Sequence, residues 1–272
     1  LFHLRRDGPK EAGLLSGVSR SGDGQEQAGM GIAAGRLVED GPGSRRGLDL
    51  LMTHFSDDHH TLYQEVGDGL YRDRTFAAGL GEDTLAPLGW GVGAYDFDLD
   101  GDEDVLVVHG HVYPQAARVD PRSGYAQRDH LWLNEPGGRL AEVGEASGLR
   151  HRHVGRSAAF GDVDNDGDVD AVVIRLDQPP ALYRNRGAPG RHWARFRLEP
   201  APPGATVRLA DGQTRTVLGG GSFQAASDPR PHFGLGGQSG DVRWIATWPD
   251  GRRTEGRGKP NTDIVVSAPG PS

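Results

Sequence analysis

Two nine-residue stretches concentrate carboxylates at a fixed spacing. One reads Asp96-Phe97-Asp98-Leu99-Asp100-Gly101-Asp102-Glu103-Asp104, the other Asp162-Val163-Asp164-Asn165-Asp166-Gly167-Asp168-Val169-Asp170. Counting from the first Asp, positions 1, 3, 5 and 9 supply carboxylates, and Gly at position 6 permits a sharp turn. Position 7, Asp102 or Asp168, is expected to add its backbone carbonyl. Calcium takes about 6–8 hard oxygen ligands, which alternate side chains of a tight loop can supply by pointing inward. Magnesium fits less well because it keeps its waters. Without a cation, carboxylates crowded this way repel one another by on the order of several kcal/mol. A solvated acidic turn is the simpler reading of one such stretch; two at equivalent places argue for paired calcium sites.

The elements that position these loops are strands. An EF-hand would need Glu at position 12, where this chain has Val107 and Val173 inside apolar runs. Those runs, Val105-Leu106-Val107-Val108 and Ala171-Val172-Val173-Ile174, are β-branched and bounded by Gly and Asp, the pattern of buried strands. Three units repeat the arrangement from Gly29, Gly89 and Gly155, a period of about 60 residues. Each continues into a second shared phrase: Leu62-Tyr63-Gln64, Leu131-Trp132-Leu133-Asn134 and Leu182-Tyr183-Arg184-Asn185. Short strand, acidic loop, buried strand, turn and strand at this period predict the blades of a β-propeller. The first unit breaks the rule. Gly35-Arg36-Leu37-Val38-Glu39-Asp40 and an inserted Gly-Pro-Gly-Ser-Arg-Arg stand where the acids should be, and Asp49 alone survives near the loop's end. No metal is expected there, with Arg36, Arg45 or Arg46 as candidates to supply the charge instead.

Composition agrees with many short strands: the 272 residues include 43 Gly and 18 Pro, both suited to turns. The fold class expected is all-β, with about three propeller blades over 1–190, an incomplete propeller or an open arc. A small β-domain over 191–267 and a tail over 268–272 follow. In that second domain Ala205–Leu209 and Thr214–Leu218 flank Asp211-Gly212 and predict a hairpin. The net charge of −8, without a Lys/Arg-rich block, argues for cations rather than nucleic acid as partners. No cysteine is present, so neither disulfides nor thiolate sites are possible. No apolar run is long enough to span a membrane. The chain starts at Leu1 without an apolar leader, which reads as a processing boundary inside a longer protein.

Other chemistry-bearing residues carry less. His54, His59 and His60 beside Asp57 and Asp58 read as an exposed hairpin turn, and His151 and His153 as surface residues. Trp90, Trp132, Trp193 and Trp244 read as core; Trp248, before Pro249-Asp250-Gly251, reads as partly exposed. There is no Gly-x-Ser-x-Gly elbow, and Gly219-Gly220-Gly221 lacks the Lys of a phosphate loop.

The paired Asp-x-Asp-x-Asp-Gly-x-x-Asp loops resemble the FG-GAP/VCBS repeats of calcium-binding propellers. Gly110-His111-Val112-Tyr113-Pro114 and 161–167 are similar to the cartilage acidic protein family. The segments 219–223, 227–236 and 248–251 resemble the ASPIC/UnbV domain that follows those repeats. The resemblance implies a secreted or periplasmic, calcium-binding, non-enzymatic binding or adhesion protein with a protein or carbohydrate ligand. It also implies loop-positioning roles for His109 and His111. The rival reading is a propeller enzyme (a hydrolase, lyase or cyclase) with its active site in the central channel.

Overall fold

The computed structural model describes residues 2–5, 8–38, 47–176 and 178–270. The architecture is all-β, as the strand patterning predicts. A hairpin of β1 (Phe2–Arg5) and β2 (Gly8–Glu11) and a single helical turn, α1 (Gly13–Ser16), precede three antiparallel sheets, each built as an ordered meander. The first sheet contains β3 (Ile32–Gly35), β4 (Asp49–Met52), β5 (Thr61–Gly67) and β6 (Leu70–Asp73). The second is β7 (Gly89–Tyr95), β8 (Asp104–His109), β10 (His130–Glu135) and β11 (Arg139–Glu142). Between β8 and β10 lie a turn of helix, α2 (Ala116–Val119), and β9 (Gln127–Arg128), which pairs with β12 (Arg152–His153). The third sheet is β13 (Gly155–Gly161), β14 (Asp170–Arg175) and β15 (Ala181–Tyr183). Among the described residues no further sheet closes a ring with these three. Nor is any helix long and apolar enough to cross a membrane.

The remaining strands build two sheets of their own. One holds β16 (His192–Glu199) between β19 (His232–Gly236) and a parallel β22 (Thr262–Ser267). The other orders β18 (Thr214–Thr216), β17 (Thr206–Leu209), β20 (Val242–Thr247) and β21 (Arg253–Gly258). The predicted hairpin appears as β17–β18, with Thr206 opposite Thr216. Phe196, Phe233, Trp244 and Trp248 fill the core between the two sheets. Trp248 is therefore buried rather than partly exposed, and its indole N–H donates to Pro200 O at 3.0 Å. Alternation in β20 turned an aromatic residue that precedes a turn signal toward the core.

Apolar residues bind the three N-terminal sheets to one another. Leu51, Leu62, Val105 and Trp132 share one core across the first two sheets, and Phe97, Val108, Phe160 and Val173 another across the second and third. Burying each such side chain stabilises by about 1.5–3 kcal/mol. The leading strands β3, β7 and β13 stand side by side at close range: a methyl on Gly91 would lie 2.5 Å from Ala158 N. Ser222, from the C-terminal part of the chain, touches all three. Its backbone pairs with Ile32, its Oγ accepts from Val92 N at 3.1 Å, and it donates to Ala158 O at 2.7 Å.

His54, His60 and His153 lie buried at the junctions of the sheets, contrary to the surface positions the sequence suggested, whereas His151 is exposed as expected. His54, His60, His109 and His153 are buried, and His59 is half-buried. His54 N–H donates to His60 Nδ1 at 3.2 Å, so a neutral His60 carries its proton on Nε2 and donates to His109 Nε2 at 3.1 Å. Asp129 accepts from His109 N–H and the Tyr183 hydroxyl, with His153 Nε2 3.1 Å away. Burial holds the imidazoles of His60 and His109 well below their usual range and lowers His130 to about 4. The polar turn residues Ser56-Asp57-Asp58 hid these buried neighbours from a reading by composition.

Candidate metal centres

Each acidic loop connects the first two strands of its sheet: 96–104 links β7 to β8, and 162–170 links β13 to β14. Two left-handed residues curl each loop. Leu99 (φ 62°) and Asn165 (φ 61°) occupy position 4; Gly101 (φ 111°) and Gly167 (φ 97°) occupy position 6, where a side chain would be strained.

The loops repeat each other bond for bond. At position 1, Asp96 Oδ1 accepts from Asp100 N–H at 3.0 Å, and Oδ2 from Gly101 N–H at 2.8 Å. Asp162 Oδ1 accepts from Asp166 N–H at 3.2 Å, and Oδ2 from Gly167 N–H at 3.0 Å. Position 3 accepts from the amide of position 5, and position 5 from that of position 7, in both loops. Three carboxylates of each loop converge. One oxygen from each of Asp96, Asp98 and Asp104 lies within 4.8 Å of the others, and so does one from each of Asp162, Asp164 and Asp166. Of the ten predicted ligands, Asp100, Asp102, Asp168 and Asp170 fall outside these two sets.

Position 9 has a second role that the sequence did not reveal. Asp104 Oδ2 accepts from Phe97 N–H and Oδ1 from Asn134 N–H, both at 2.8 Å. Asp170 repeats this with Val163 (3.0 Å) and Asn185 (2.8 Å). In the first sheet, where the other acids are missing, the fully buried Asp49 accepts from Leu37, Val38 and Glu65 in the same manner. The closing aspartate therefore ties the loop's start to the third strand independently of any metal. Arg36 gives its backbone N–H to Glu103 Oε2, whereas Arg45 and Arg46 lie outside the described residues. Asn134 and Asn185, which end the shared phrase on the third strand, bridge to the preceding sheet through Leu37 O (3.1 Å) and Phe97 O (2.7 Å).

Burial raises the proton affinity of these acids. Asp104 is pushed up to about 8 and Asp96 to about 7, first by burial and then by neighbouring carboxylates, against the pull of backbone donors and, for Asp96, of Arg215. Burial likewise raises Asp98, and it lifts Asp168 to about 6 with Asp166 adding to the effect. A bound cation would offset the repulsion. A convergent, all-oxygen set fits a hard divalent ion. Arginines supply part of the balance in both loops: Arg184 pairs with Asp164 and Arg195 with Asp162, and Arg191 lies 3.9 Å from Asp98.

A nucleophile–base pair exists elsewhere but is wired against catalysis. Ser56 Oγ lies 3.0 Å from His111 Nε2. Because His111 Nδ1 accepts from Tyr113 N–H, the neutral ring carries its proton on Nε2 and cannot take one from Ser56.

The family model described as ASPIC and UnbV matches residues 199–268. Human cartilage acidic protein 1 is 24% identical over 284 residues, covering 99% of this chain and 40% of that protein. The mouse protein is 24% identical over 264 residues, with 93% and 38% covered. The Xenopus tropicalis protein is 23% identical over 257 residues, with 89% and 37% covered. The chain thus spans about 40% of the length of the curated relatives it matches. It is similar to the cartilage acidic proteins along nearly its whole length, and its residues 199–268 match the ASPIC and UnbV model.

Proposed function

We propose that this chain is a calcium-stabilised, non-enzymatic binding module. Its three N-terminal sheets act as propeller blades over 1–190, the ASPIC/UnbV-like domain occupies 191–267, and 268–272 form a tail. The observation that carries the reading is the repeated convergence of three carboxylate oxygens in two sheets, beside a third sheet that lacks the acids but keeps Asp49. Calcium would be held by the side chains of Asp96, Asp98, Asp100 and Asp104 in one loop and Asp162, Asp164, Asp166 and Asp170 in the other. The carbonyls of Asp102 and Asp168 would complete each set. The ion supplies charge neutralisation and cross-links each loop to its buried strand. Titration of chelator-stripped protein with calcium should give a stoichiometry near two; zero would remove the proposal.

The family relationship supports an extracytoplasmic location, secreted or periplasmic, and a protein or carbohydrate partner. The channel-enzyme alternative finds less support. Ser222 lies across the leading strands of all three sheets, and a cavity of about 460 Å³ remains there. Its carboxylates Glu103 and Asp228 are paired with Arg215 and Arg230. Acids engaged by arginine are poorly placed for general acid–base work.

A further inference from the structure

The C-terminal sheets contact both acidic loops at the same three positions. At position 1, Gly234 N–H donates to Asp96 Oδ2 at 3.0 Å, and Arg195 Nη1 to Asp162 Oδ2 at 2.9 Å. At position 4, Gly236 N–H donates to Leu99 O at 2.8 Å, and Arg195 Nη2 to Asn165 Oδ1 at 3.4 Å. At position 6, Arg215 Nη2 donates to Gly101 O at 2.9 Å, and His232 Nε2 lies 2.8 Å from Gly167 O. The donors come from β16, β18 and β19. They are themselves held: Arg195 forks onto Asp263 at 2.6 and 3.0 Å, and Trp193 stacks on His232 with ring centroids 6.1 Å apart.

The position-1 carboxylate is the hub of each loop. Its Oδ2 is fixed jointly by the position-6 amide and by a donor more than thirty residues away in the C-terminal sheets, while Oδ1 accepts the position-5 amide. A loop whose hub is oriented in advance loses less freedom when it closes on an ion. We propose that the C-terminal sheets act as a positioning clamp on both loops, so that cation binding and docking of these sheets are one coupled equilibrium. The inference rests on the calcium reading above. It adds that His232, Gly234 and Arg215 set the affinity of loops distant from them in sequence. Linkage makes the effect reciprocal: whatever the clamp adds to cation affinity, the cation adds to docking.

The test uses the full chain. A Cβ on Gly234 would overlap Asp96 Oδ2 and the Leu99 backbone, so Gly234→Ala should displace the hub of the 96–104 loop and leave 162–170 intact. His232→Ala removes the partner of Gly167 O and should do the converse. Calcium titration should show one of two sites weakened about tenfold in each variant, within the usual range of site–site coupling. Hydrogen exchange supplies a readout independent of the variants: calcium should slow amide exchange in β19 of the wild-type chain. It should not do so in the double variant Asp100→Asn, Asp166→Asn. Two ions bound with unchanged affinity in both Gly234→Ala and His232→Ala would overturn the clamp while leaving the calcium reading intact. So would β19 exchange indifferent to calcium, a result that decides the matter even if a variant fails to fold. Wild-type protein that binds no calcium removes both.

Discussion

Within each loop the carboxylates divide by what their oxygens already hold. Those at positions 3 and 5 accept only local loop amides, whereas position 9 also holds backbone amides across the sheet with both oxygens. Asp166→Asn should therefore abolish calcium binding in the third sheet and change stability little in chelator. Asp104→Ala or Asp170→Ala should be severe in calcium and remain severe in chelator. Asp104→Ala leaves two buried N–H groups unpaired, at about 1–3 kcal/mol apiece, and Asp170→Ala leaves two partly buried ones, at a smaller cost. Asp49→Ala tests the same point with no metal involved: it should destabilise equally in either condition and leave the calcium stoichiometry unchanged. Urea midpoints with and without chelator separate the classes. Equal losses across all these variants would instead point to a diffuse acidic patch. Asp168→Asn should be mild, because the position-7 backbone oxygen survives.

At the level of strands and sheets, the joints between repeats are polar as well as apolar. Asn185 donates to Phe97 O, and Asn134 to both Leu37 O and Glu103 O, so each asparagine fastens its sheet to its predecessor. Asn134→Ala orphans two carbonyls and should cost more than Asn185→Ala, each on the order of 1–3 kcal/mol by denaturant unfolding. Losses under about 0.5 kcal/mol, the range of surface substitutions, would show that the bridges do not fasten the sheets.

The buried imidazoles at the same joints set an acid limit. His60, His109 and His130 are neutral when folded, with Asp129, His54, His59, His153, Arg128 and Arg152 as their charged or titratable neighbours. Their folded pKa values lie below the unfolded value of about 6.5, so unfolding takes up protons below that pH. Stability is intact above pH 6.5 and is lost as the pH falls toward the folded value, about 4 for His130. Each such imidazole costs about 1.4 kcal/mol per pH unit in that window. Melting temperatures in excess calcium should fall between pH 6.5 and 5, and His109→Gln should show a shallower fall. A flat wild-type profile would contradict the burial argument.

Across the whole molecule, cations and the C-terminal sheets meet at the same loops. An ion that binds only the folded chain stabilises by about 2.7 kcal/mol at a hundredfold excess over Kd. Chelator should therefore lower the melting temperature, and the contacts from β16, β18 and β19 predict that both halves of the molecule loosen together. Limited proteolysis in chelator reads this directly. Cleavage confined to the N-terminal sheets, with 191–267 as resistant as in calcium, would show that the halves respond separately.

The sequence by itself determined the features that repeat locally. Alternation and β-branching specified strands, glycine at position 6 specified the loop turn, and the spacing of ten aspartates marked where a cation could sit. All of these follow from bonds and torsions within about ten residues, so a short window contains them. It could not show that Asp49, Asp104 and Asp170 share a metal-independent bond pattern, since their partners lie on another strand. Nor could it show that His60 is buried, because it packs against His109 of the second sheet. The matching of Gly234 to Asp96 and of Arg195 to Asp162 was equally out of reach. Those pairs are joined by packing between distant parts of the chain, and separation along a sequence carries no record of distance in the folded molecule.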